Sequence, residues 1–262
     1  MLKHLAGGLL ALSFVTAATA AVKEEPVIYR DGDTTLKGFV VYDDAKTGKR
    51  PGIVVVHEWW GVTKHTREEA RKFAEQGYTA FVADMFGDGK TADNPKDASG
   101  LSKGLMGNPA GMQSRFNAAR AELAKHPTVD ASRIGASGYC MGGGVVLNMA
   151  RAGADLKGVA AFHANLTAQS PAEAGKVRSK IIVLNGADDP FVKPDSVDAF
   201  KKEMDAAKVD YKFINYPGAV HAFTNPEATE KGKQFNLPLA YNAEVDKQAK
   251  SEAAKFFQDV FK

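Results

Sequence analysis

The segment Ile134-Gly135-Ala136-Ser137-Gly138-Tyr139-Cys140-Met141-Gly142-Gly143-Gly144 constrains the chain more than any other. A short apolar run ends in Gly-x-Cys-x-Gly and passes directly into a helical stretch, which reads as a strand, a very tight turn and a helix. Such a turn forces its central residue into a strained backbone conformation. Glycines two before and two after it remove the Cβ atoms that would collide. Cys140 is therefore expected at the tip of a strand. Met141, opening the helix, would present an unpaired backbone N–H at the positive end of the helix dipole. The dipole favours negative charge on the sulfur, and the N–H can hold an oxyanion. The competing reading is an ordinary buried cysteine, which packs like a small hydrophobe.

Around that turn, strand and helix alternate. Val27-Ile28-Tyr29 and the run from Leu36 to Val41 flank Asp31-Gly32-Asp33 as a hairpin, expected at the antiparallel edge of a larger sheet. Gly52 to Val56, Leu156 to Phe162 and Ile181 to Leu184 carry little or no polar alternation, the pattern of strands buried on both faces of a parallel sheet. Thr79 to Ala83 and Tyr211 to Tyr216 are further strands. Helices are expected over about 63–76, 110–125, 194–207 and 239–261, with 85–108 a long loop that carries a short helix. The expected fold class is α/β, a mostly parallel central sheet with helices on both faces. Ligands of such sheets bind beyond the carboxyl ends of the strands. Glu58, Cys140, His163, Asp189 and His221 all follow strand ends.

At 262 residues and 44% hydrophobic the chain can bury a substantial core, and residues 21–262 are expected to form one domain. Residues 1–20 read as a signal peptide. Lys3 supplies the positive region, Leu5 to Val15 the apolar one, and Ala18-Thr19-Ala20 a small-residue cleavage site near Ala20. The apolar run is too short to span a bilayer, so the expectation is an exported protein, periplasmic or secreted. With Cys 1 in the whole chain no intrachain disulfide can form, and a lone thiol in an exported protein favours a purpose for Cys140. The net charge of +3 comes from mixed signs without a basic cluster, which argues against nucleic acid and membrane as partners. No His or carboxylate pair has metal-ligand spacing, so no metal is expected. A monomer is expected.

A nucleophile, an acid after a later strand and a histidine after the last strand form the chain order of a triad on the α/β-hydrolase fold. Here that order reads Cys140, then Asp188 or Asp189, then His221. The thiol attacks, the imidazole takes and returns the proton, and the carboxylate fixes the tautomer. His57 and His163 also follow strands but precede the acid, against the order, while His65 and His126 fall on or beside helices. Glu58, beside Trp59 and Trp60, is a carboxylate in apolar company. Burial there would raise its pKa toward that of a working base. The alternative is a solvated glutamate paired with a lysine or arginine.

Four segments together, His57-Glu58-Trp59-Trp60-Gly61, Gly138-Tyr139-Cys140-Met141-Gly142-Gly143, Asp189-Pro190-Phe191-Val192 and Gly218-Ala219-Val220-His221-Ala222-Phe223, resemble the dienelactone hydrolase (carboxymethylenebutenolidase) family of the α/β-hydrolase fold. The similarity covers essentially the whole mature chain. It implies hydrolysis of a small-molecule ester or lactone through an acyl-thioester, without a cofactor. Cys140 would be the nucleophile, His221 the base, and Asp189 the acid, because the family's Asp directly precedes an x-Phe-Val segment. Glu58 would contact the resting thiol and accept its proton, and the backbone N–H groups of Trp59 and Met141 would form the oxyanion hole. Trp60, Phe86, Tyr139 and His163 are expected as pocket walls. One departure concerns charge. Members active on dienelactone carry an arginine shortly after the histidine, where this chain reads Ala222-Phe223-Thr224-Asn225, without that bidentate partner for a carboxylate. The rival functions are a broad carboxylesterase and a hydrolase-like protein that binds a small molecule without cleaving it.

Overall fold

The structure, a computed structural model, describes residues 22–262, so the expected signal peptide and its cleavage site at Ala18-Thr19-Ala20 lie outside the described residues. In chain order the elements are β1 (Val22–Asp31), β2 (Thr34–Asp43), β3 (Arg50–Val56), α1 (Lys64–Glu75), β4 (Thr79–Ala83), α2 (Pro95–Met106), α3 (Pro109–Lys125) and β5 (Val129–Tyr139). They continue as α4 (Met141–Arg151), β6 (Gly158–Phe162), β7 (Lys180–Gly186), α5 (Pro194–Ala206), β8 (Tyr211–Tyr216), α6 (Ala228–Phe235) and α7 (Ala243–Val260). The eight strands form one sheet in the order β1-β2-β4-β3-β5-β6-β7-β8. β1 pairs antiparallel with β2, and β2 with β4; every later pair is parallel. The α/β architecture read from the sequence is the one observed.

The uninterrupted apolar strands follow from cover on both faces. Along β3 the side chains alternate between two cores: Val54 and Val56 join Phe116, Val145 and Phe200, whereas Ile53 and Val55 join Phe73, Ala249 and Phe257. α3, α4 and α5 therefore lie on one face, and α1 and α7 on the other. A polar residue at any of these positions would face a core, and burying each large apolar side chain contributes about 1.5–3 kcal/mol.

Three local readings change. The segment after β4 holds a full helix, α2, where Asn94 accepts from the Asp97 N–H at 3.0 Å and Pro95 opens the first turn. Gly100 and Gly104 weaken its helical signal. The loop after His221 contains α6, where the sequence marks no helix. The last helix begins at Ala243 rather than near 239, with the Asn242 side chain capping Val245 at 3.1 Å.

At the centre, β5 turns into α4 through Cys140, whose φ of 55° and ψ of −117° lie where L residues are strained. A Cβ on Gly138 would run into the Gly142 carbonyl, and one on Gly142 into the Val56 carbonyl at the end of β3. The two glycines thus let the turn close against the neighbouring strand.

Candidate active site

His221 lies beyond β8, tied through its own carbonyl to the Ala240 N–H at 3.3 Å. Its Nδ1–H donates to Asp189 Oδ2 at 2.7 Å, and its Nε2 lies 3.0 Å from Cys140 Sγ. Asp189 is buried and is itself held by the Phe191 N–H, which donates to Oδ1 at 2.8 Å. Asp188 faces solvent and accepts from the Gly218 N–H at 2.9 Å, so of the two aspartates only Asp189 reaches the imidazole. Burial disfavours charge on His221, but the sulfur of Cys140 and the hydrogen bond to Asp189 outweigh it and raise its pKa to about 10. The imidazole can therefore hold a proton taken from the thiol.

The strained nucleophile is held from behind by a closed chain of polar contacts. The Cys140 N–H is shared between Phe162 O at 3.0 Å and His163 Nδ1 at 3.1 Å. That fixes the tautomer of His163, whose Nε2–H donates to Thr224 Oγ1 at 2.9 Å. The Thr224 carbonyl takes His65 Nε2–H at 3.1 Å; His65 Nε2 also lies 3.7 Å from Glu69, and Glu69 accepts from the Tyr139 hydroxyl at 3.1 Å. The chain thus returns to the residue before the cysteine. His163 is fully buried, and desolvation together with the charge of His221 pushes its pKa well below the ordinary value. It is a neutral support for the elbow.

Glu58 differs from expectation. Its carboxylate is buried, with Oε2 accepting from Asn225 Nδ2 at 2.7 Å and facing His65 Nδ1 at 3.5 Å. Among the described residues no hydrogen bond links it to the thiol. Burial pushes its pKa up, yet the charge of His65, the bond to His65 and the Asn225 amide prevail and hold it down at about 2. The expected raised pKa is corrected, because apolar neighbours in the sequence said nothing of a histidine and an amide arriving from other elements. His65, set aside in the sequence as a helix residue, lies between Glu58 and Glu69, and its pKa is raised against burial by those two carboxylates.

The backbone N–H groups of Trp59 and Met141 donate to no acceptor among the described residues. Both residues line a cleft of about 450 Å³ that opens over Cys140 and His221. Met106, Phe191, Val192, Leu237 and Leu239 form the rest of its apolar wall, and Ser102, Asn165 and Thr167 supply its polar groups. None of Trp60, Phe86, Tyr139 and His163 lines it, which corrects the expected walls. Trp60 turns inward against Phe235, with Lys231 over its ring. Phe86 packs edge-on against His57 and borders a separate cavity beside α2 and α3. Tyr139 stacks on Phe162 under the sheet. These four residues follow or end strands yet pack away from the cleft, whereas Ser102, Met106, Leu237 and Leu239, the walls that no motif marked, come from α2 and the segment after α6.

The model of the dienelactone hydrolase family matches residues 36–261. Protein usf of Aquifex pyrophilus is 30% identical over 199 residues, which cover 74% of this chain and 86% of that protein. Among solved structures, the dienelactone hydrolase-like promiscuous phosphotriesterase P91 from metagenomic libraries has 35% identity and a TM-score of 0.87, covering 92% of this chain and 100% of its own. A structure named m3DLH has 36% identity and a TM-score of 0.88, with the same coverage. Because the matched span runs from β2 into the end of the last helix and takes in every site residue from Glu58 to His221, the chain belongs to the dienelactone hydrolase family and is an ester or lactone hydrolase of the α/β-hydrolase fold.

Proposed function

We propose that the protein is an exported hydrolase that cleaves its substrate through a thioester at Cys140. One arrangement carries the reading: a thiol 3.0 Å from an imidazole that is itself 2.7 Å from a buried carboxylate, at the floor of an open cleft. His221 Nε2 holds the proton taken from the thiol, and Sγ attacks the substrate carbonyl carbon. The Trp59 and Met141 N–H groups receive the oxyanion that forms. On collapse the C–O bond breaks and His221 returns the proton to the departing alkoxide. Water then gives a proton to His221 and attacks the thioester, and the carboxylic acid leaves as the thiol is restored.

The test is hydrolysis of p-nitrophenyl acetate by the reduced protein and by Cys140→Ala, with intact mass recorded during turnover. An acyl adduct on the wild type and loss of at least about 10³-fold in kcat in the variant are expected, in line with removal of a nucleophile. Undiminished turnover by Cys140→Ala would sink the scheme. Similarity to a phosphotriesterase adds a neutral phosphotriester to the substrate panel.

Export rests on Lys3, the apolar run from Leu5 to Val15 and Ala18-Thr19-Ala20. Expressed in full length in a bacterium, the protein should be recovered from the periplasm with a mass that begins at Ala21. A full-length mass in the cytoplasm would defeat that part of the proposal.

A further inference from the structure

Apolar and uncharged polar side chains make most of the cleft over Cys140. Among the described residues, no lysine or arginine lines it. Basic residues on the surrounding elements are engaged elsewhere. Arg115 of α3 donates to the carbonyls of Met85 at 2.7 Å and Phe86 at 3.1 Å, and Lys231 of α6 lies over the Trp60 ring. Lys103 and Lys193, on elements that frame the cleft, are exposed and outside its lining. Asn225, four residues after His221, gives its amide to Glu58 and holds no charge for a ligand.

The charges near the floor are already paired: the imidazole of His221 is balanced between Asp189 and the sulfur, and Glu58 faces His65 and accepts from Asn225. An anionic substrate group would leave water, meet Ser102, Asn165 and Thr167 at best, and find no cation. Transfer of a charge to such a place is strongly disfavoured, whereas apolar surface is stabilised against Trp59, Met106 and Leu237.

We infer that this hydrolase selects neutral, predominantly apolar esters and rejects esters or lactones that carry a carboxylate, because the cleft is lined by apolar side chains and uncharged polar groups with no basic partner. The inference rests on the hydrolase reading for its substrate and deepens it. A volume of about 450 Å³ is enough for a medium-sized acyl chain together with an aromatic or alkyl alcohol.

The experiment compares p-nitrophenyl butyrate with mono-p-nitrophenyl succinate, which share a leaving group and acyl length and differ in one carboxylate. Binding of each to Cys140→Ala is measured by isothermal titration calorimetry, so that the readout needs no turnover. The neutral ester is expected to bind at least about tenfold tighter, and the wild-type kcat/KM values should fall in the same order. Ser102→Arg, on the half-buried face of α2, should narrow the ratio by improving succinate binding. Equal or tighter binding of the succinate ester by Cys140→Ala overturns the inference, as does a ratio that Ser102→Arg leaves unchanged. Cys140-dependent hydrolysis of both esters at equal kcat/KM defeats it while leaving the thioester scheme intact. A failure of Cys140 chemistry would instead spare the binding result.

Discussion

At the scale of single residues, the site is a set of charges held against burial. His221 keeps its proton until about pH 10, so kcat/KM should decline at alkaline pH with a midpoint near that value, once the imidazole no longer protonates the leaving alkoxide. A midpoint near the ordinary histidine value would contradict the pairing with Cys140 and Asp189. Glu58 behaves in the opposite sense. Its folded pKa of about 2 lies below the 4.5 of an unperturbed glutamate. The stability it contributes is therefore complete above about 4.5 and is lost as the pH falls toward 2. The melting temperature of the wild type should exceed that of Glu58→Gln at pH 6, and the gap should shrink on acidification below 4.5. A gap constant with pH would show that the carboxylate's charge plays no part. Cys140 and His221 were legible because a triad imposes both residue types and chain order, which left Asp188 and Asp189 open until the resemblance of Asp189-Pro190-Phe191-Val192 to the family's segment favoured the second. The partners of Glu58 were not. Asn225 lies 167 residues away and His65 sits in the first turn of α1, a helix residue without a motif, so only packing brings them to the carboxylate.

At the scale of elements, the turn from β5 to α4 is the least tolerant part of the fold. Gly142→Ala would set a methyl group against the Val56 carbonyl at the end of β3 and the His57 carbonyl just beyond it, backbone atoms that cannot swing aside. The variant should lose about 2 kcal/mol or more, as overpacking at a rigid site does, and lose esterase activity as Cys140 shifts from His221. Urea unfolding with wild-type stability would show that the turn can open after all. The glycines of this turn announced themselves in the sequence since their spacing has a single geometric meaning. α2 and α6 did not. The Asn94-Pro95 start of α2 was a readable cap and first turn, but Gly100 and Gly104 within it pull the propensity the other way, and α6 spans only eight residues. These two quieter helices sit beside the cleft, which is why the pocket walls were misread while the catalytic order was not.

At the scale of the whole molecule, the sheet delivers side chains from widely separated parts of the chain to one edge, and the last helix braces the far side. Lys250 of α7 lies 2.9 Å from Glu69, which also holds the Tyr139 hydroxyl under the elbow. The C-terminal helix is thereby coupled electrostatically to the residue before the nucleophile. The alternation of buried strands with helices made the layered architecture readable, because two covered faces demand apolar runs that no other arrangement requires. Contacts such as Lys250 with Glu69 leave no trace of that kind, since a charge on a helix face looks the same in solvent as in an ion pair. The chain carries one cysteine, and it stands half-buried in the cleft beside its histidine. Any thiol-directed reagent that reacts with this protein consumes one equivalent per working centre, so the molecule serves as its own active-site titrant, and the competent fraction of a preparation can be counted before its substrate is known.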